Sequence, residues 1–348
     1  MMDISTPYYE DLTRISNSNI GWFLQKGPAF LHKMLTNPPP EEKNPVLERG
    51  TMIHEYILQP EEFQKDYVVW DKSRPTSAQQ EKFCQALANT LEIEPDKAVL
   101  SAYKEAYSTA GKSEKTMLSE GSKIASTLKD YIDFLKANDG RLMISPWDYQ
   151  MLKKIKNEII AHKLAANIIW PTNSRVRMGM EEFIPETGDP GIQPIRNYHE
   201  FHINWSYDNK IQCKSLLDGL TLDWKNKKVI IYDLKTTQKL WHFEDSINQY
   251  DYLRQLAYYS MAVRWYLTCE CGVSDDEIFE WEFEYYIIGI DTTGSYEIRV
   301  FKIEKSMVQS RYETILDALD RIAWHQRNDA WDHSIEYYEG DGSENLNL

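Results

Sequence analysis

The chain has 348 residues, 42% hydrophobic and 27% charged, with a net charge of −15. This composition excludes a mainly disordered chain, and no apolar run reaches the ~18–20 residues that a membrane-spanning helix needs. The acidic balance argues against a basic nucleic-acid coat, but basic groups in a cleft and metal ions beside carboxylates are compatible with it.

The opening residues contain acids and lack the basic and apolar regions of a signal peptide, so a soluble cytoplasmic protein is expected. Residues 8–36 read as helical. Ser18 or Asn19 can cap a helix carrying Ile20, Phe23 and Leu24, with Phe30, Leu31 and Met34 beyond Pro28. A loop follows at 37–42. A second helix is predicted over 45–58, ending before Pro60, which marks the next start. Residues 76–170 lack strong strand signals and show helical periodicity, as in Met151, Ile155, Ile159 and Ile160. Lys153, Lys154 and Lys156 alongside are either a solvated face or a phosphate-contacting arm.

From about residue 177 the character changes. Segments 178–184, 199–207, 211–224 and 228–234 are rich in β-branched and aromatic residues, with hairpin turns near 207–210 and 225–227. A helix over 247–267, strands over 279–290 and 296–303, and a final helix over 305–327 follow. From Asn328 onward there are six acids and no Lys or Arg, which predicts a mobile tail. Cys84, Cys213, Cys269 and Cys271 are too scattered for a zinc or iron–sulfur site and predict free thiols. The order of elements predicts an α/β fold with a mixed central sheet flanked by helices.

The chemistry concentrates in two strands. One carries Asp218; the next carries Asp233, Leu234 and Lys235. Alternate residues on a strand share a face, so Asp233 and Lys235 point the same way, in line with Val229 and Ile231. The apolar run thus ends in a carboxylate and an ammonium, beside a second carboxylate on the neighbouring strand. Two carboxylates so close repel unless a cation lies between them, and a hard ion such as Mg²⁺ or Mn²⁺ suits oxygen ligands. Gln255 and Tyr259, four residues apart, share one helical face.

Asp218 with Asp233 and Lys235 resembles the PD-(D/E)XK nuclease signature. Gln255 and Tyr259 resemble the Q-x-x-x-Y element of its RecB-like branch, and Gly50 with His54, continuing through Leu58 to Phe63, resembles the G-x-x-x-H element of RecE-type exonucleases. In place of the signature's proline stands Leu217, and the second acid is Asp, which leaves the ligand chemistry unchanged. The resemblance implies a restriction-endonuclease-like core within residues 1–330. Residues 1–75 would supply His54, 76–170 would form a helical insert, and 171–330 would form the catalytic core, with an acidic tail at 331–348. It implies His54, Asp218, Asp233 and the Leu234 carbonyl as metal ligands, with an acid from an earlier strand, Glu200 or its rival Glu182. It implies Lys235 as the catalytic lysine, with Gln255 and Tyr259 lining the cleft. The implied activity is Mg²⁺- or Mn²⁺-dependent degradation of duplex DNA from its ends, 5′ to 3′. The expected setting is a phage or recombination module, as a homo-oligomer working beside a single-strand annealing protein.

Three other readings stand beside this one. The RecB-like nucleases of CRISPR adaptation share the histidine, acids and lysine but need clustered cysteines. A noncatalytic DNA-end-binding or protein-interaction scaffold on the same fold would lose the lysine or a metal acid. A sequence-specific restriction enzyme would lack the N-terminal histidine element.

Overall fold

The computed structural model describes residues 7–40, 44–92, 94–137, 140–171 and 195–343. Helices dominate the first half: α1 (Asn17–Thr36), α2 (Pro45–Leu58), α3 (Pro60–Asp66), β1 (Tyr67–Val69), α4 (Ala78–Asn89), α5 (Pro95–Ala106), α6 (Glu114–Thr127), α7 (Lys129–Lys136), β2 (Leu142–Ile144), α8 (Pro146–Ala161) and α9 (Lys163–Ile169). The second half brings β3 (Ile195–Tyr207), β4 (Ile211–Asp223), β5 (Lys228–Thr237), α10 (Phe243–Tyr250), α11 (Tyr252–Trp265), β6 (Glu282–Asp291) and β7 (Ile298–Ile303). It closes with α12 (Lys305–Gln309), α13 (Tyr312–Asn328) and α14 (Ile335–Glu339). The described residues fall into two compact units, one from 1–60 and 153–348, the other from 61–152. The helical segment expected at 76–170 therefore divides, and 153–170 belongs with the sheet. No helix among the described residues is long and apolar enough to cross a membrane.

The larger unit is built on a five-stranded sheet of order β3-β4-β5-β6-β7. Its only parallel pair is β5 with β6; the other three are antiparallel. A parallel pair needs a crossover longer than a hairpin, and α10 and α11 lie between these two strands in the chain. Helix α11 packs on β3, β4 and β5. Its Leu253, Leu256, Ala257 and Val263 join a core with Val229, Ile231, Phe283 and Ile287. The mixed sheet expected from the sequence is present.

Several boundaries differ from the sequence expectation, among them the final helix expected over 305–327, which divides into α12 and α13 at Ser310 and Arg311. Residues 7–15 are not helical. Ile15 instead bridges β4 beside Cys213, donating its N–H to the Gln212 carbonyl and accepting from the Lys214 N–H and the Tyr258 hydroxyl. The buried Lys214 ammonium also donates to the Tyr8 and Asp11 carbonyls. Helix α1 is capped by Ser16, not Ser18 or Asn19, with Asn19 completing a reciprocal capping box. The single helix expected over 247–267 breaks at Asp251, whose φ of 47° places it in the left-handed region. Asp enters that region more readily than most residues, and its carboxylate caps α11 by accepting from the Arg254 N–H. The tail expected to be mobile contains α14 in its described part, capped by Ser334.

In the smaller unit α4, α5, α6 and α7 close around Phe83, Leu87, Val99, Tyr103, Met117 and Ile132. A short parallel pair, β1 with β2, accompanies them. The sequence showed no strand signal for β2, whose three residues are too few for a periodicity to register.

Candidate metal centre

The site begins with strand register. Pairing of β3 with β4 runs in one register from Ile195–Asp223 to Tyr207–Ile211, and Glu200 opposite Asp218 is the single interruption. Pairing of β4 with β5 runs from Asp223–Lys228 to Gly219–Tyr232 and stops there. The next position in that register sets Asp218 opposite Asp233. Glu200, Asp218 and Asp233 therefore form one row across three adjacent strands, which are spaced about 4.8 Å apart in a sheet.

Local chemistry explains why both ladders fail at this row. Glu200 has a φ of 46°, a left-handed conformation that costs a non-glycine residue roughly 1–3 kcal/mol. The Asp218 carboxylate reaches across to β5, where Oδ2 accepts from the Leu234 N–H at 2.7 Å. Gly219 lies beneath the Tyr232 ring, and an added Cβ would come within 1.9 Å of it. The Tyr232 hydroxyl is buried with no hydrogen-bond partner among the described residues. Burial, with the Asp218 and Glu200 charges, pushes its pKa well up.

Helix α2 delivers the histidine. Asn44 caps it by accepting from the Val46 N–H, Pro45 occupies the first turn, and Met52, Ile53, Ile57 and Leu58 are buried. Gly50 and His54 are one turn apart. An added Cβ at Gly50 would meet Thr236 Oγ1 of β5 at 3.4 Å, an ordinary contact distance, so α2 lies beside the strand at this point. His199 secures the far end of α2. Its Nδ1 lies 3.0 Å from the Leu58 carbonyl, while Nε2 lies 3.0 Å from Asn197 Nδ2 and 2.9 Å from the Ile169 carbonyl. Burial lowers its pKa against the pull of the two carbonyls, to both of which only the protonated ring could donate. The sequence reading passed over His199, because a bond to a backbone carbonyl 141 positions away leaves no local pattern.

His54 Nδ1 lies 3.5 Å from Asp218 Oδ2 and 3.9 Å from Glu200 Oε1. Ligand atoms of His54, Glu200 and Asp218 all fall within 4.8 Å of one another, the one such group of three among the described residues. Asp233 sits beside them in different company. Its Oδ2 is 2.6 Å from the Lys235 ammonium, and its Oδ1 accepts from Gln255 Nε2 at 3.0 Å. Gln255 also donates to the Tyr259 hydroxyl at 2.8 Å. The expected residues His54, Glu200, Asp218, Asp233, Lys235, Gln255 and Tyr259 thus converge, with the Leu234 backbone against both Asp218 and His54. Glu182 and the strand expected at 178–184 lie outside the described residues. No cysteine joins a group of potential metal ligands among the described residues.

The electrostatics show one cation against too many anions. Burial, then the Asp218, Asp233 and Glu55 charges, push Glu200 up to about 8. Burial raises Asp218 despite the opposing pull of Lys235. Burial and the Asp218 charge push Asp233 up to about 6 against the pull of Lys235. Burial would lower Lys235, but the Asp233 and Asp218 charges outweigh it and hold the ammonium charged. Burial and the Lys235 charge lower His54 to about 4, leaving a neutral imidazole able to ligate. One imidazole nitrogen and crowded carboxylate oxygens fit a divalent cation with mixed oxygen and nitrogen ligands.

No family model and no curated protein matches the chain. Two solved chains match. One is a protein from Eubacterium rectale described provisionally as an exonuclease, 11% identical, with a TM-score of 0.47 and covering 100% of this chain and 95% of that one. At that TM-score the likeness bears on neither fold nor function.

Proposed function

We propose that this chain is a metal-dependent nuclease of the PD-(D/E)XK type that hydrolyses DNA phosphodiester bonds. The observation that carries this reading is the row of Glu200, Asp218 and Asp233 across three adjacent strands, with Lys235 ion-paired at one end and His54 over the other. His54, Glu200 and Asp218 would hold the ion, with Asp233 and the Leu234 carbonyl beside them. A bound Mg²⁺ or Mn²⁺ would supply positive charge to a phosphate oxygen and lower the pKa of a water.

The chain's own groups divide the remaining work. Lys235 keeps a fixed positive charge where negative charge develops on phosphorus. Gln255 fixes one oxygen of Asp233 and is itself fixed by Tyr259, so the carboxylate that faces Lys235 is held in a single orientation. Backbone strain at Glu200 is consistent with a residue held for its chemistry rather than for its strand. Action on duplex ends, in the 5′ to 3′ direction, follows the resemblance to RecE-type enzymes.

The test is a cleavage time course with Mg²⁺ or Mn²⁺ on end-labelled linear duplex, covalently closed circles and single strands, with Asp233→Ala as control. Digestion of linear duplex alone, lost in the variant, is the expected result, and the labels give direction. Cutting of closed circles would replace the exonuclease with an endonuclease. No cleavage of any substrate by folded, metal-supplemented protein would overturn the reading in favour of a noncatalytic scaffold.

A further inference from the structure

The same sheet face continues past the acid row into a feature that the cleavage chemistry does not use. Lys235 pairs with Gly289 across β5 and β6, and Gly289 pairs with Arg299 across β6 and β7. Residues in register across a sheet share a face, so Lys235 and Arg299 lie on one side, about 10 Å apart at ordinary strand spacing. Between them Gly289 leaves a gap that Leu240 fills; an added Cβ would come within 2.7 Å of Leu240 Cδ1.

Leu240 and Phe243 are both buried, and together they fix the segment that carries Trp241. Trp241 is nevertheless 74% exposed. Its ring is held by the Arg299 guanidinium, 3.4 Å from the ring centroid, and Arg299 is turned by Glu297 at 2.9 Å. On the α10–α11 side of Lys235 stands a second aromatic pair. Tyr252 lies 4.8 Å from the Lys235 ammonium and stacks on Tyr250, which is 56% exposed.

Burying an indole is strongly favourable, so a tryptophan displayed between two buried anchors is unlike the accidental exposure of a loose loop. Flat aromatic rings with adjacent cationic groups are the elements that bind single-stranded nucleic acid, the rings stacking on bases and the cations meeting phosphates. A protein groove would offer a continuous apolar surface, whereas here exposed Trp241 lies on a cation and exposed Tyr250 stacks on a ring that lies on another.

We infer that Trp241, braced by Arg299, together with Tyr250 forms a lip that binds single-stranded nucleic acid beside the acid row. This deepens the nuclease reading and rests on it for location: the lip would hold a strand separated from its complement at the point where phosphates reach Lys235. The lip favours unpaired bases because within a duplex every pair except the end one has both faces already stacked.

The experiment measures binding by fluorescence anisotropy of a labelled oligothymidylate and of a blunt duplex, in Ca²⁺ buffer, to the full chain and to Trp241→Ala, Trp241→Phe and Arg299→Ala. The expected result is that Trp241→Ala weakens single-strand binding about ten-fold or more, affects duplex binding less, and is largely rescued by Trp241→Phe. Melting curves of the variants check that the fold is kept. Single-strand binding unchanged in Trp241→Ala, a loss equal on both substrates, or no oligothymidylate binding by the unaltered chain would each overturn the inference. The nuclease reading fails separately, through absence of metal-dependent cleavage, while this measurement does not require cleavage.

Discussion

Each of the two units sets a lysine against carboxylates, with opposite consequences. In the helical unit Lys112 lies 2.6 Å from Glu120 and 2.7 Å from the Tyr103 hydroxyl, open to solvent. One cation meets one anion there. The hydrogen bond between them lowers the Glu120 pKa and raises that of Lys112, so each charge favours the other. In the sheet unit Lys235 meets Asp233 at 2.6 Å, but Asp218 and Glu200 share the same desolvated space. All three acid pKa values rise rather than fall. What marks the centre is therefore not an ion pair but an excess of carboxylate where water cannot screen it, the condition a divalent ion relieves.

The largest effect expected from breaking this contrast is on turnover. Lys235→Ala removes the cation paired with Asp233 at the end of the row, and kcat for DNA cleavage should fall about a thousand-fold. Turnover within a few-fold of the unaltered chain, measured at saturating Mn²⁺, would remove Lys235 from the mechanism. Gly219→Ala comes next. Its Cβ must displace the Tyr232 ring, and overpacking of this kind costs about 1–3 kcal/mol. A clear drop in melting temperature is expected, and an unchanged melt would show that the ring is free to move.

His54→Ala should weaken Mn²⁺ binding at least about ten-fold. A variant that only melts earlier, with unaltered metal affinity, would make His54 a packing residue. A smaller effect concerns pH. Glu200 is pushed up to about 8 and Asp233 to about 6. Raised carboxylate pKa values mean that the metal-free fold is favoured by protonation. That contribution is complete below the unfolded values near 4 and is lost as pH rises through about 6 to 8. A cation replaces the lost protons, so the rise in melting temperature on adding Mn²⁺ should be greater at pH 8 than at pH 6. An equal rise at both would contradict the crowding of these acids. Lys112→Ala completes the comparison: exposed and self-balanced, it should leave both the melt and metal binding almost unaltered.

Much of the sheet could be read from the chain. Strands β4 and β5 begin where their β-branched and aromatic runs begin, and α2 matches the span set by Asn44, Pro45 and Pro60. The shared face of Asp233 and Lys235 followed from strand periodicity, and the nearness of Asp218 from the hairpin that joins β4 to β5. The choice of Glu200 did not, because it depends on register between β3 and β4, and register is a property of two strands. The break at Asp251 carried no glycine or proline to announce it. The brace of Ile15 against β4 was hidden because an N-terminal segment rich in polar residues reads as a helix cap until its partner strand is in place. Tyr232 over Gly219 was likewise invisible, since cross-strand contacts leave no trace in spacing along one chain.

The most direct test of the centre is a calorimetric Mn²⁺ titration of the full chain beside Asp218→Asn, a change that keeps shape and removes one charge from the middle of the row. Saturable binding by the unaltered chain, lost or weakened at least ten-fold in the variant, is the predicted result. No saturable binding, or equal affinity in both proteins, would show that the row of Glu200, Asp218 and Asp233 does not hold a metal ion.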